Sequence, residues 1–458
     1  MLSHRRLPRS TSISLPFILL VGLLATLVMA GGASRADVLG QVVVRGAASA
    51  ALVVAFLLAG PPDGRLPRTV LTLLAATAAL PLLQLIPLPP AWWGSLPGHE
   101  VLRGAVAGDQ PWRPLSIQPS ATWNAAASLL VPASVVLLAS AVRRSERTLI
   151  MPVLLALIGI SALFGLLQFS GNLFESPFVN ASAGEVSALF ANRNHFAVFL
   201  AFGCLLAPVW GAWDGNRAAW RVPLAIGATL LILLLILASG SRAGLAAGVL
   251  ATAFGLILAR QLLHSLRRRL PRWAEPAFGV AILAIVAVVI AVSVASNRAM
   301  SIDRLLSTDP AVDMRTRALP TVIEAVRAYF PTGAGFGSFD AVFRMREPFE
   351  LLKPTYFNHA HNDYLEVMLG GGILAMLLVV VALGWWAICS IRVWRRKPSS
   401  EVMLGRLGSG LLLVTFVASA IDYPARTPAI MAIVALAAAW LEWGAASQHA
   451  LPLNNPDL

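Results

Sequence analysis

Twelve runs of apolar residues, most of them about 20 residues long, divide this chain, at roughly 13–32, 40–60, 69–87, 123–142, 148–168, 195–213, 222–240, 243–263, 275–296, 364–390, 404–421 and 427–444. A helix needs about 20 residues to cover the hydrocarbon core of a bilayer. Backbone inside lipid has to satisfy its own hydrogen bonds, so runs of this length read as spanning helices. A membrane β-barrel would show short alternating segments instead, and the sequence has none. Composition agrees: 57% of the 458 residues are hydrophobic and 12% charged, against about 25% charged in an average soluble domain. The mean hydropathy is +0.75. The expected fold is an all-α polytopic membrane protein with about 12 transmembrane helices.

The net charge of +13 is almost entirely arginine, since Lys353 and Lys397 are the only lysines. This charge lies in short clusters between the runs, as the positive-inside rule requires, so it does not indicate nucleic acid. Arg143 to Arg147, Arg217 to Arg221, Arg260 to Arg272 and Arg392 to Lys397 fall on one side, and isolated arginines (Arg35, Arg193, Arg242, Arg426) on the other. This asymmetry predicts a multi-pass protein of a bacterial inner membrane with both termini cytoplasmic. The run from Ile13 to Ala30 follows a basic start but lacks a convincing cleavage site, and is read as a retained first helix. Cys204 and Cys389 both fall in or at the end of apolar runs and imply no disulfide framework.

Two extracytoplasmic connections are long. One, near 88–122, carries Pro89, Pro90, Trp92, Trp93 and Trp112, which suit an interface. The other, 297–362, is by far the longest non-apolar stretch, and a loop this long is usually functional. Leu319, Val322, Ile323 and Val326 in it recur at helical spacing. They predict an amphipathic helix, with Pro320 in its first turn or kinking it, that lies on the bilayer surface or caps a cavity. Gly333-Ala334-Gly335-Phe336-Gly337 reads as a turn back toward the membrane rather than a nucleotide loop, because no strand precedes it.

Four polar groups stand at outer helix ends. Arg242, in Ser239-Gly240-Ser241-Arg242-Ala243-Gly244, suits either a bidentate anion clamp or an arginine snorkelling to head groups. Arg315 begins the amphipathic helix, where it either joins an anion site or pairs with Asp309 or Asp313. In Asn358-His359-Ala360-His361-Asn362-Asp363-Tyr364, either histidine can serve as a general base. A metal on His359, His361 and Asp363 is disfavoured, because i, i+2, i+4 spacing scatters ligands around a helix. Asn192, Arg193 and Asn194, before His195, either bind sugar hydroxyls or phosphate, or cap the helix that follows.

Taken in order, these pieces resemble the O-antigen ligase and polymerase family. The resemblance rests on Phe190-x-Asn192-x-Asn194, Ser239-x-Ser241-Arg242, Asp313-x-Arg315 and His361-Asn362-Asp363-Tyr364-Leu365, with Gly372 eleven residues after the histidine. It is clearest over about 185–375. It implies N-terminal helices in 1–185, a catalytic region in 186–450 and a fold like that of the membrane-embedded (C-type) glycosyltransferases. Members move a glycan from undecaprenyl pyrophosphate to an acceptor glycan, or to a lipid A core, outside the cytoplasmic membrane, with inversion and without a metal or other cofactor. By resemblance, Arg242 and Arg315 hold the pyrophosphate, His361 activates the acceptor hydroxyl and Asn362 orients it. Asn192, Arg193 and Asn194 supply further substrate contacts. Asp422-Tyr423-Pro424-Ala425-Arg426-Thr427-Pro428 resembles the polysaccharide polymerases more than the ligases, which would imply a chain-length regulator as partner. Protein O-oligosaccharyltransferases belong to the same family. A transporter is the rival from another class; it would need a path of mid-membrane charges, and Arg45 is the clearest interior charge.

Overall fold

The computed structural model describes residues 13–59, 66–104, 111–171, 175–179, 185–213, 217–267, 314–352 and 357–447. Every expected apolar run within these residues falls on a helix, and the run 275–296 lies outside them. In chain order the helices are α1 (Leu15–Ala30), α2 (Leu39–Leu58), α3 (Arg68–Leu83), the short α4 (Pro90–Ser95) and α5 (Glu100–Gly104), α6 (Pro119–Ser128) and α7 (Leu130–Ala141). They continue as α8 (Ile150–Phe169), α9 (Arg193–Ala212), α10 (Ala218–Ala238), α11 (Arg242–Arg267), α12 (Met314–Tyr329), α13 (Phe339–Arg344), α14 (Asp363–Arg395), α15 (Ser400–Ser419) and α16 (Pro428–Ala446). Nine of the described helices are long and apolar enough to cross a membrane, with α6 and α7 together forming one of them; α1 and α3 are shorter apolar helices. Pro87–Leu88 and Arg113–Pro114 form a two-stranded antiparallel ladder. The chain is an all-α polytopic membrane protein.

α9, α15 and α16 form the centre and are largely buried. Without a hydrophobic drive between helices in lipid, close approach depends on small residues. α15 and α16 meet that way: a Cβ on Gly408 would lie 2.3 Å from the Ala437 carbonyl oxygen. α14 instead turns Leu374, Leu377, Val380 and Val381 outward, the face expected to meet acyl chains. Arg45 of α2 is tied to Asn124 Oδ1 at 2.7 Å, so this interior charge has a polar partner on α6.

The connections sort into two ends. At one end the basic clusters interlock: Arg144 pairs with Glu401 at 3.1 Å, and Glu146 accepts hydrogen bonds from the Ser14 backbone and hydroxyl. Arg406 donates to the carbonyls of Val393 (3.3 Å) and Arg396 (2.8 Å), covering the last carbonyls of α14. At the opposite end lie the α1–α2 and α15–α16 connections, the start of α9 and the segments 330–352 and 357–362.

α12 is a helix beginning beside Arg315, as its spacing predicts; Val322 and Val326 of the expected apolar face are buried and Ile323 is half-buried, but small residues share that face and Leu319 does not. Ala318, Thr321, Val322, Ala325, Val326 and Tyr329 are inside, while Leu319 is exposed. The reason is the neighbour. Phe339 and Phe343 of α13 build a second apolar core with α12 and Phe357, and this core takes up the small residues. Pro320 lies in the second turn.

The glycine-rich segment after α12 crosses a break in α14. Gly372 there has φ 58° and ψ −146°. The amides of Ala334, Gly335 and Ile373 donate to Leu369 (2.7 Å), Gly370 (2.9 Å) and Pro331 (2.9 Å) respectively. A Cβ on Gly372 would lie 2.0 Å from the Pro331 carbonyl oxygen. Only glycine permits both the positive φ and the crossing.

Candidate active site

Three segments far apart in sequence converge where α14 begins. Asn362 caps α14 by accepting from the Leu365 amide at 3.0 Å, and its Nδ2 donates to the Ala420 carbonyl at 2.9 Å. Asn362 thereby fixes the 357–362 turn to the α15–α16 connection. His361, just before the cap, has a φ of 50°. A left-handed backbone at a non-glycine residue costs on the order of 1–3 kcal/mol and persists where the surroundings over-determine it.

Those surroundings are specific. His361 Nδ1 lies 2.8 Å from Asp422 Oδ1. A carboxylate accepts, so Nδ1 carries a proton, and in the neutral imidazole Nε2 keeps its lone pair; no hydrogen bond engages Nε2 among the described residues. Asp422 Oδ2 accepts from Asn194 Nδ2 at 2.6 Å and faces Arg315 Nη2 at 3.4 Å. Arg315 Nη1 also reaches the Ile421 carbonyl at 3.4 Å. The Asp422 side chain is 2% exposed and that of Arg315 33%, so the carboxylate is sealed while the guanidinium still meets solvent. Burial alone would raise the Asp422 carboxyl. The His361 hydrogen bond and the Arg315 charge outweigh it and hold the group well below the usual carboxylate range.

Tyr423, the next residue, is the hub of an aromatic cluster. Its ring centroid lies 4.2 Å from that of His359, 4.7 Å from His195 and 4.9 Å from His361. The Asn192 and Asn358 side chains lie beside its hydroxyl. Burial first, then the Asp422 charge, pushes the phenol above its ordinary value, so it stays neutral and serves as a spacer.

A second network lies behind the first. His359 Nδ1 contacts Glu366 Oε1 at 2.8 Å, and its Nε2 contacts the Ser34 hydroxyl at 3.3 Å. Arg426 bridges Asp363 (3.1 Å) and Glu366 (3.2 Å). Ser419 donates to Asp363 at 2.8 Å. The three residues weighed as metal ligands are thus committed separately: His359 to Glu366, His361 to Asp422 and Asp363 to Arg426. Both ring nitrogens of His359 are engaged, which distinguishes it from His361.

The residues expected from the sequence therefore take different places. Arg315, Asn194 and His361 meet on one carboxylate, and Asn362 braces it. The partners weighed for Arg315, Asp309 and Asp313, lie outside the described residues. Asn192 is the cap of α9, accepting from the Asn194 amide at 2.8 Å, and this frees Asn194 to reach Asp422. Arg193 pairs with Glu185 at 3.0 Å. Arg242 stands exposed at the first position of α11. Two residues further on, α11 touches α9 so closely that a Cβ on Gly244 would lie 2.2 Å from Ala197 Cβ. Arg242 is therefore level with the first turns of α9, although the contacts converging on Asp422 do not include it. Asp422, Tyr423, Glu366 and Arg426 were given no role from the residues. Position is a signal for all four, which are polar or ionisable and stand at the outer ends of the last three apolar runs; Asp422, Tyr423 and Arg426 also lie in the 422–428 segment that resembles the polymerases.

A helical membrane protein with a half-open histidine–carboxylate pair and an arginine at one end of its bundle suits acyl, phosphoryl or glycosyl transfer to a hydroxyl. Residues 227–380 match the family model described as O-antigen ligase, which supports the resemblance to the O-antigen ligase and polymerase family. The matched stretch contains Arg242, Arg315, His361 and Asn362 and ends before Asp422. No curated protein matches the chain.

Proposed function

We propose that this protein is a glycosyltransferase that moves an oligo- or polysaccharide from undecaprenyl pyrophosphate to an acceptor glycan, or to a lipid A core, at the periplasmic face of the inner membrane. The observation that carries the reading is the His361–Asp422 pair, with Nε2 unengaged and Arg315 on the same carboxylate. In the reaction, Nε2 takes the acceptor O–H proton as that oxygen attacks the anomeric carbon. The bond from that carbon to the phosphate oxygen breaks, its electrons stay on the pyrophosphate, and attack from the opposite face inverts the centre. Asp422 holds the imidazole in the right tautomer and stabilises the imidazolium that forms, as a carboxylate does for a base histidine elsewhere. Arg315 and Arg242 offset the charge developing on the leaving pyrophosphate, the role that a metal fills in many such enzymes.

Purified protein in liposomes with a carrier-linked glycan tests this. His361→Ala should reduce transfer by at least about 100-fold, with helix content unchanged and EDTA without effect on the parent. Wild-type turnover in that variant would exclude the mechanism. In cells, loss of a polymerase leaves single repeat units on the carrier, whereas loss of a ligase leaves full-length chains.

A further inference from the structure

At the far end of α14 from His361, a cavity of about 600 Å³ opens between α14, α16 and the first turn of α3. Arg392 and Glu442 both line it. Among the described residues neither pairs with the other, and the Cys389 thiol also lines the cavity. Glu442 is fixed in place: its two oxygens accept from the amides of Thr69 (3.0 Å) and Val70 (2.9 Å) at the start of α3. Arg392 is exposed, and no hydrogen bond holds its guanidinium among the described residues.

The charged rim lies in the last turns of α14 and α16, at the end of the bundle that carries the basic clusters. The apolar wall continues from it through Ile388 and Trp385 to Val381. At 1.5 Å per residue, rim and wall together, from Arg392 to Val381, are about 16 Å long, close to the thickness of one leaflet of a hydrocarbon core about 30 Å across. Val381 and Ile388 are more than half exposed, so the cavity opens sideways to lipid rather than into the core.

We propose that this cavity binds one glycerophospholipid whose head group carries both a phosphate and an ammonium. The phosphate meets Arg392, the ammonium meets Glu442, and one acyl chain lies along Ile388, Trp385 and Val381. A head group with only an anion would bring its charge to Glu442 as well as to Arg392, so the paired charges select a zwitterion. The site is distinct from the proposed transfer site and does not depend on it.

The full-length protein in nanodiscs of equal phosphatidylethanolamine and phosphatidylglycerol tests the proposal, read by native mass spectrometry after gentle release. The parent should retain one phosphatidylethanolamine. Arg392→Leu and Val381→Trp should each retain it at least about fivefold less, the effect of roughly 1 kcal/mol. Glu442→Gln should retain phosphatidylglycerol in its place. Phosphatidylglycerol on the parent, no retained lipid, or equal retention in Arg392→Leu would overturn the assignment. The unaltered protein gives a second readout. A membrane-permeable maleimide should modify Cys389 more slowly in bilayers containing phosphatidylethanolamine than in phosphatidylglycerol alone, and equal rates would contradict the proposal.

Discussion

Of the three side chains on the Asp422 carboxylate, two have different jobs in the proposed reaction: Asp422 orients the base His361, and it lies against Arg315, the arginine that is to meet the pyrophosphate. The second contact, at 3.4 Å, is long for a hydrogen bond. Arg315 can therefore turn toward an anion while the 2.8 Å bond to His361 keeps the imidazole in place. Asp422→Asn keeps the shape but puts an amide opposite Nδ1, favouring the wrong tautomer. It should cut transfer by about 10²- to 10⁴-fold, the usual contribution of a positioned acid–base group, with little change in donor binding. The pH dependence has a definite sign. The folded-state value of Asp422 is depressed, so its contribution to stability is complete above the ordinary carboxylate value near 3.9 and is lost as pH falls toward the lower folded value. Thermal unfolding followed downward from pH 5 should show a loss of stability in the parent that is smaller in Asp422→Asn. Equal acid sensitivity in the two would remove Asp422 as its source.

Among the elements, α14 carries the most, because its first turn positions His361 and its break at Gly372 receives the loop from α12. Gly372→Ala adds a Cβ 2.0 Å from a backbone carbonyl at positive φ. It should lower stability by about 2 kcal/mol or more, seen as a lower unfolding temperature in detergent, and an unchanged temperature would mean that the crossing can shift. These elements were unevenly legible in the sequence. Helix positions followed directly from apolar runs of bilayer length, because lipid leaves the backbone no alternative. The helix α12 and the burial of Val322 and Val326 were legible, but the rest of its buried face was not. Burial of Ala318 and exposure of Leu319 depend on where Phe339 and Phe343 pack, and spacing along one helix carries no information about a neighbour. Within the site, His361 and Arg315 were visible as polar residues at helix ends. Their meeting point was not: Asp422 is 61 residues from His361 and 228 from Asn194, and pairing over such distances is set by how the helices assemble.

For the whole molecule, the arrangement predicts which end faces outward. The site gathers at the end opposite the interlocked basic clusters, and the positive-inside rule puts those clusters in the cytoplasm. Single cysteines at Ala36 and Lys397, both exposed and at opposite ends, test this with a membrane-impermeant maleimide on cells whose outer membrane has been made permeable. Ala36→Cys should be modified at once, and Lys397→Cys only after the inner membrane is opened; the reverse order would invert the topology. In the proposed reaction this orientation meets the chemistry at the outer end of the bundle, where His361 takes the proton of an acceptor hydroxyl. The most direct test of that step is the rate of undecaprenyl pyrophosphate release by His361→Ala with added imidazole. The account predicts a rate near background that imidazole partly restores, with saturation and in proportion to its unprotonated form. Release at the wild-type rate without imidazole would contradict it.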